Sequence, residues 1–149
     1  MSQLLHFLDV NIPMYAAGQD HPAKAACVYV MQEIAEGRLT VAIDTEIIQE
    51  ILYRYGAIQH WDTATTLAEN LLDLVPTVYP VDTTDIRKAI ELFKKYAPQG
   101  VKARDVLHAA VMQNNGLTYI ISMDEHFDRI EGLTRIAPQA LYNQQAQRC

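Results

Sequence analysis

The chain has 149 residues, half of them hydrophobic and a fifth charged, which is the composition of one globular domain rather than of a disordered segment. No apolar run nears the roughly 20 residues that span a bilayer, and the N-terminus lacks the basic start and apolar stretch of an export signal, so a cytoplasmic protein with no membrane role is expected. Cys27 and Cys149 suit a reducing compartment, match neither a disulfide framework nor a zinc spacing, and the net charge of −6 taken alone argues against a nucleic-acid binder.

In chain order, "HFLDVNI" (6–12) reads as a first strand that ends in a carboxylate, Asp9, with Asn11 close behind. A buried charge costs several kcal/mol unless compensated, so Asp9 is either a helix cap or turn residue, or half of a metal site. Residues 21–38 read as a helix with Pro22 near its start and Gly37 at its end. "LTVAI" (39–43) is a short β-branched strand. A helix follows over 44–56, capped by Asp44 or Thr45 and stopped by Gly56, and another covers 61–75.

"TVYPV" is a strand that Pro80 confines to an edge or shortens. Residues 82–98 form an amphipathic helix closed by Pro98, and 104–116 a further helix ending at Gly116. "LTYIIS" (117–122) is the clearest strand, bounded by the polar "MDEHFD". A short helix and "LTRIAP" complete a domain over 1–137, with 138–149 as a polar tail. Alternating strands and helices require an α/β fold, a mostly parallel sheet covered on both faces. Ligands in such sheets bind outside the carboxyl ends of the strands, where Asp9 and Asp124 both fall.

The charge is unevenly spread. Residues 1–80 carry three basic residues against ten acids, net −7, whereas residues 87–104 carry six basic residues against Glu91, net +5. That block contains Lys94, Lys95, Lys102 and Arg104 and ends one residue before Asp105. It reads either as a solvated helix face or as a path for a polyanion.

Four acids could converge: Asp9, Glu50, Asp105 and Asp124, with Glu46 and Asp128 as rivals to the second and fourth. Each alone has a structural reading; Asp105, for example, could simply favour its helix N-terminus. Together they form a set of hard oxygen donors with no cysteine, suited to Mg²⁺ or Mn²⁺ rather than zinc. Such ions activate water for phosphodiester cleavage. No P-loop and no G-x-G-x-x-G is present.

The stretches "FLDVNI", "TEIIQEI", "RDVLHAAVM" and "YIISMDEHFDRI", in this order, resemble the PIN-domain nucleases, most closely the VapC-type ribonuclease toxins. The resemblance covers about residues 6–136 and implies a three-layer α/β/α sandwich. It also implies a metal-dependent endoribonuclease, the toxin of a type II toxin–antitoxin pair. Asp9, Glu50, Asp105 and Asp124 then hold Mg²⁺ or Mn²⁺, and Thr45 and Ser122 orient ligands or contact the substrate. Asn11 orients a ligand carboxylate, Lys102 and Arg104 line the RNA path, and His108 is a packing residue. A homodimer and a small antitoxin that blocks the site are the implied partners. The chain departs from the family pattern at Glu125 and His126, before Phe127. Alternatives within the fold are an RNA-processing protein that is not a toxin and a binding module without activity. A strand-end aspartyl phosphatase would need a second Asp where Asn11 stands, and a phosphorylated switch would need a lysine after the late strand.

Overall fold

A computed structural model describes residues 4–147; Cys149 and the end of the expected tail lie outside them. Five strands form one parallel sheet: β1 (His6–Leu8), β2 (Val41–Asp44), β3 (Thr77–Tyr79), β4 (Tyr119–Ile121) and β5 (Thr134–Ile136). Their spatial order is β3-β2-β1-β4-β5, so the chain runs outward from the centre to β3 and then returns to the other side of β1. Phe7 lies level with Ala42 on one side and Ile120 on the other. Right-handed crossovers put the helices of the outward and return connections on opposite faces. This is the expected α/β sandwich.

The first connection holds α1 (Asn11–Ala17) and α2 (Lys24–Ala35), and the second holds α3 (Thr45–Ala57) and α4 (Trp61–Leu74). The return carries α5 (Thr83–Tyr96) and α6 (Ala103–Asn114), and α7 (Pro138–Gln147) follows the last strand. Phe7, Leu8, Ile43, Ile120, Ile121 and Phe127 are fully buried and make the centre of the core. All four β2 residues are buried, Asp44 included, as a strand covered on both faces requires. β3 is at the edge, consistent with Pro80 just after it.

Two elements depart from the sequence reading. The first strand stops at Leu8, and Asn11 opens α1, where Pro13 sits in a first turn whose N–H groups have no intrahelical partner. The segment expected as a polar tail is a helix over 138–147. Its Leu141 packs on the core and its Tyr142 ring meets Tyr29 of α2 edge-on, centroids 5.7 Å apart. So few apolar anchors in a glutamine-rich segment give no visible period, although Gln and Ala are themselves good helix formers.

The head of α5 is fixed by a capping box: Asp82 accepts from the Asp85 N–H at 3.1 Å and Asp85 accepts from the Asp82 N–H at 3.1 Å. Asp85 also accepts from Asn114 Nδ2 at the end of α6 at 2.8 Å, which ties the two helices together. Asp82→Ala should therefore cost about 1 kcal/mol. Asp85→Ala should cost more, because it also removes the link from buried Asp85 to Asn114 that ties α5 to α6, and urea unfolding of the two variants measures the difference.

Candidate metal centre and active site

Asp9 and Asp124 lie just past the carboxyl ends of the neighbouring parallel strands β1 and β4, and Asp105 is in the first turn of α6. Asp9 is 5% exposed. Its Oδ1 accepts from the Val10 N–H at 2.8 Å, and its Oδ2 accepts from Ser122 Oγ at 2.6 Å and Asn11 Nδ2 at 3.2 Å. Ser122 Oγ in turn accepts from the Asp124 N–H at 2.9 Å, and Asn11 Oδ1 accepts from the Met123 N–H at 3.3 Å. Asn11 and Ser122 thus stitch the two strand ends together and aim the Asp9 carboxylate. Burial pushes the Asp9 carboxyl up from its ordinary value, partly offset by His108 and the Ser122 hydroxyl.

Asp105 is less well served. Its Oδ2 is buried and has no hydrogen-bond partner. Its carboxyl is pushed up to about 6, first by burial and then by the charges of Asp124 and Asp9. Asp105, Asp124 and His126 each offer a donor atom, and these atoms lie within 4.8 Å of one another. An unpartnered buried carboxylate oxygen amid further acids is what a bound cation would relieve, so these residues fit a divalent metal.

Glu50 is held differently. It is 3% exposed, and its Oε1 meets His108 Nε2 at 2.6 Å, while His108 Nδ1 meets Asp44 Oδ2 at 2.7 Å. Asp44 also caps α3, its Oδ1 accepting from the Ile47 N–H at 3.0 Å. Glu50 Oε2 lies 3.7 Å from both Arg54 Nη2 and Arg104 Nη1. Burial opposes a charge on His108, but the Asp44 and Glu50 carboxylates outweigh it and hold the imidazole well above its ordinary value. His108 thus has both ring nitrogens on carboxylates, which favour its charged form. The expectation that it merely packs is therefore corrected: both of its nitrogens are engaged by charge. Asp44 was legible only as a cap, and Arg54 was not singled out, although its position four residues after Glu50 signals an ion pair.

The remaining candidates divide. Arg104 reaches Glu50, and Lys102 is exposed at the head of α6. Thr45 is exposed, and its Oγ1 accepts from the Val81 N–H at 3.1 Å, tying α3 to the strand-edge loop. Glu46 is half-buried, its carboxyl raised chiefly by burial. Asp128 binds the Arg135 guanidinium at 3.1 and 3.2 Å and stands outside the cluster that holds Asp124. Lys95 pairs with Glu131 at 3.4 Å. A groove of about 630 Å³ opens at Asp124, lined among others by Asn11, Tyr15, Arg54 and Met123.

With metal chelated, Asp105 gives a defined pH signature. A carboxyl raised from 3.8 to about 6 lends stability that is complete below 3.8 and lost as pH rises through 6. Wild type and Asp105→Asn should therefore melt alike near the acid end and separate through pH 6, the variant melting higher, in calorimetric scans with EDTA. His108 has the same sign in a higher window: its contribution is complete below 6.5 and is lost as pH rises above that value. His108→Asn should cost about 3–5 kcal/mol near pH 6, because it leaves two buried carboxylates without their counter-charge. Chemical denaturation at that pH reads the loss.

Residues 6–133 match the family described as PIN domain. The chain is 34% identical to ribonuclease VapC13 of Mycobacterium tuberculosis over 130 residues, 87% of this chain and 98% of that protein. Among solved structures it is similar to VapC20 of the same organism, a toxin that cleaves the sarcin–ricin loop, with a TM-score of 0.69 and 15% identity, covering 84% of this chain and 93% of that one. A toxin–antitoxin complex from Klebsiella pneumoniae is similar at a TM-score of 0.62 and 17% identity, covering 89% and 97%.

Proposed function

Since the chain belongs to the PIN-domain family, and is similar to its VapC ribonucleases over most of its length, we propose that it is a Mg²⁺- or Mn²⁺-dependent endoribonuclease and the toxin of a type II toxin–antitoxin pair. The observation that carries the reading is the unpartnered Asp105 Oδ2 among the acids at the carboxyl edge of the sheet. Asp105 and Asp124 hold the ion, with Asp9 beside them and Glu50 as the fourth acid. A divalent ion in this position supplies activation of the attacking water and neutralises charge gathering on the phosphate.

The chain's own residues do the rest. Ser122 and Asn11 fix Asp9, and the His108 bridge fixes Glu50 through one oxygen, leaving the other toward Arg54 and Arg104. Those two guanidiniums, with Lys102, receive the phosphates of the RNA strand. Thr45 contributes by holding the loop after β3 in place. Exposed apolar side chains support the partners. Tyr53, Ile58 and Trp61 stand around the α3–α4 turn, and Ile86, Ile90 and Phe93 form one face of α5, surface for a second copy and a small antitoxin. We place its action in the cytoplasm, where RNA and a newly made antitoxin meet. Among the described residues no helix is long and apolar enough to cross a membrane.

Asp9→Asn keeps the size of the side chain and removes a charge. Cleavage of a sensitive RNA should fall by orders of magnitude while the circular dichroism spectrum is unchanged, and full activity would take Asp9 out of the mechanism. In the paired comparison, Glu50→Gln should impair cleavage much more than Glu46→Gln.

A further inference from the structure

Among the described residues, two buried side-chain polar atoms lack a hydrogen-bond partner: Asp105 Oδ2 and His126 Nδ1. Both belong to the same trio with Asp124. His126 Nδ1 comes within 2.9 Å of Asp124 Oδ1 without the alignment of a hydrogen bond, and that oxygen already accepts from the His126 backbone N–H at 2.9 Å. Two atoms that bind one ion at about 2.1 Å and at right angles stand about 3 Å apart, the spacing seen here.

The local fold holds the ring in this pose. Asp124 caps the 3-10 turn Glu125–Arg129, which puts His126 two residues beyond it with Nδ1 toward the acids. On the other edge, Nε2 faces Gly100, where an added Cβ would come within 3.9 Å. A histidine that ligates through Nδ1 is neutral and carries its proton on Nε2.

We propose that His126 is a nitrogen ligand of the metal centre, making an Asp105–Asp124–His126 set that favours Mn²⁺ over Mg²⁺. The inference rests on the metal-dependent reading above and adds the choice of metal. Mg²⁺ holds to oxygen donors and an octahedral water shell, whereas an imidazole nitrogen strengthens binding of the first-row transition ions. The sequence offered His126 only as a departure from the pattern before Phe127; its orientation makes it a donor.

The test uses the full chain stripped with EDTA, with Mn²⁺ and Mg²⁺ titrated separately and no RNA present. Free Mn²⁺ is counted by its EPR signal, and Mg²⁺ binding is read by calorimetry. His126→Gln should lose about tenfold in Mn²⁺ affinity while Mg²⁺ affinity barely moves, and Asp105→Asn should lose both. Pulsed EPR of the Mn²⁺-loaded wild type should show coupling to an imidazole nitrogen that vanishes in His126→Gln. An unchanged Mn²⁺-to-Mg²⁺ ratio in His126→Gln, or no nitrogen coupling in wild type, overturns the ligand assignment and leaves the acid centre standing. Wild type that binds neither ion, or Asp105→Asn that binds both as wild type does, overturns the centre together with this inference.

Discussion

His108 stands almost without exposure between carboxylates from two other elements, Asp44 at the end of β2 and Glu50 in α3, and the rest of the site is built around that contact. Neither carboxylate could be buried ionised without a counter-charge, since an unpaired ion in the interior costs several kcal/mol. The imidazole supplies one cation with two donors at fixed positions on a rigid ring. The two bonds tie α6 at this point to α3 and to the end of β2. Asp105 is three residues ahead of His108 on the same helix, so the bridge also decides where Asp105 stands. The Phe7 ring, 5.4 Å from that of His108, carries the constraint into the central strand.

The acids consequently fall into two electrostatic groups. Asp44 and Glu50 are neutralised from within, by His108 and, for Glu50, by Arg54 and Arg104 as well. Asp9, Asp105 and Asp124 have hydroxyl, amide and backbone donors but, among the described residues, no arginine or lysine ion pair, and burial raises the carboxyls of Asp9 and Asp105. The protein compensates the first group with its own cations and holds the second mainly with neutral donors. Counter-charge distinguishes the two groups more sharply than burial does, because Asp9 and Glu50 are buried alike.

Much of this was readable from the sequence where the signal is local. The five strands, the capping role of Asp44, the edge position that Pro80 imposes on β3, and the strand-end positions of Asp9 and Asp124 follow from short-range chemistry. What escaped depends on distance. The partners of His108 are 64 and 58 residues away in sequence, so nothing near it told a bridging cation from a packed ring. His126 looked like a deviation because the orientation of its ring is set by the turn that Asp124 caps. The last helix escaped for another reason: its docking rests on few side chains, too few to leave a period in a polar segment.

Gly100, between α5 and α6, has φ +91°, and a Cβ there would meet Arg129 Nη1 at 3.1 Å. The left-handed backbone strains any side chain placed there, and Arg129, which would have to give way by a few tenths of an ångström, donates to the Gln99 carbonyl from the same turn that holds His126. Position 100 therefore resists substitution right beside His126. Tyr15, Gln19 and His21, which line the open groove, carry no such backbone constraint. In a lineage descended from this chain, substitutions would accumulate sooner along that groove than at the Gly100 turn.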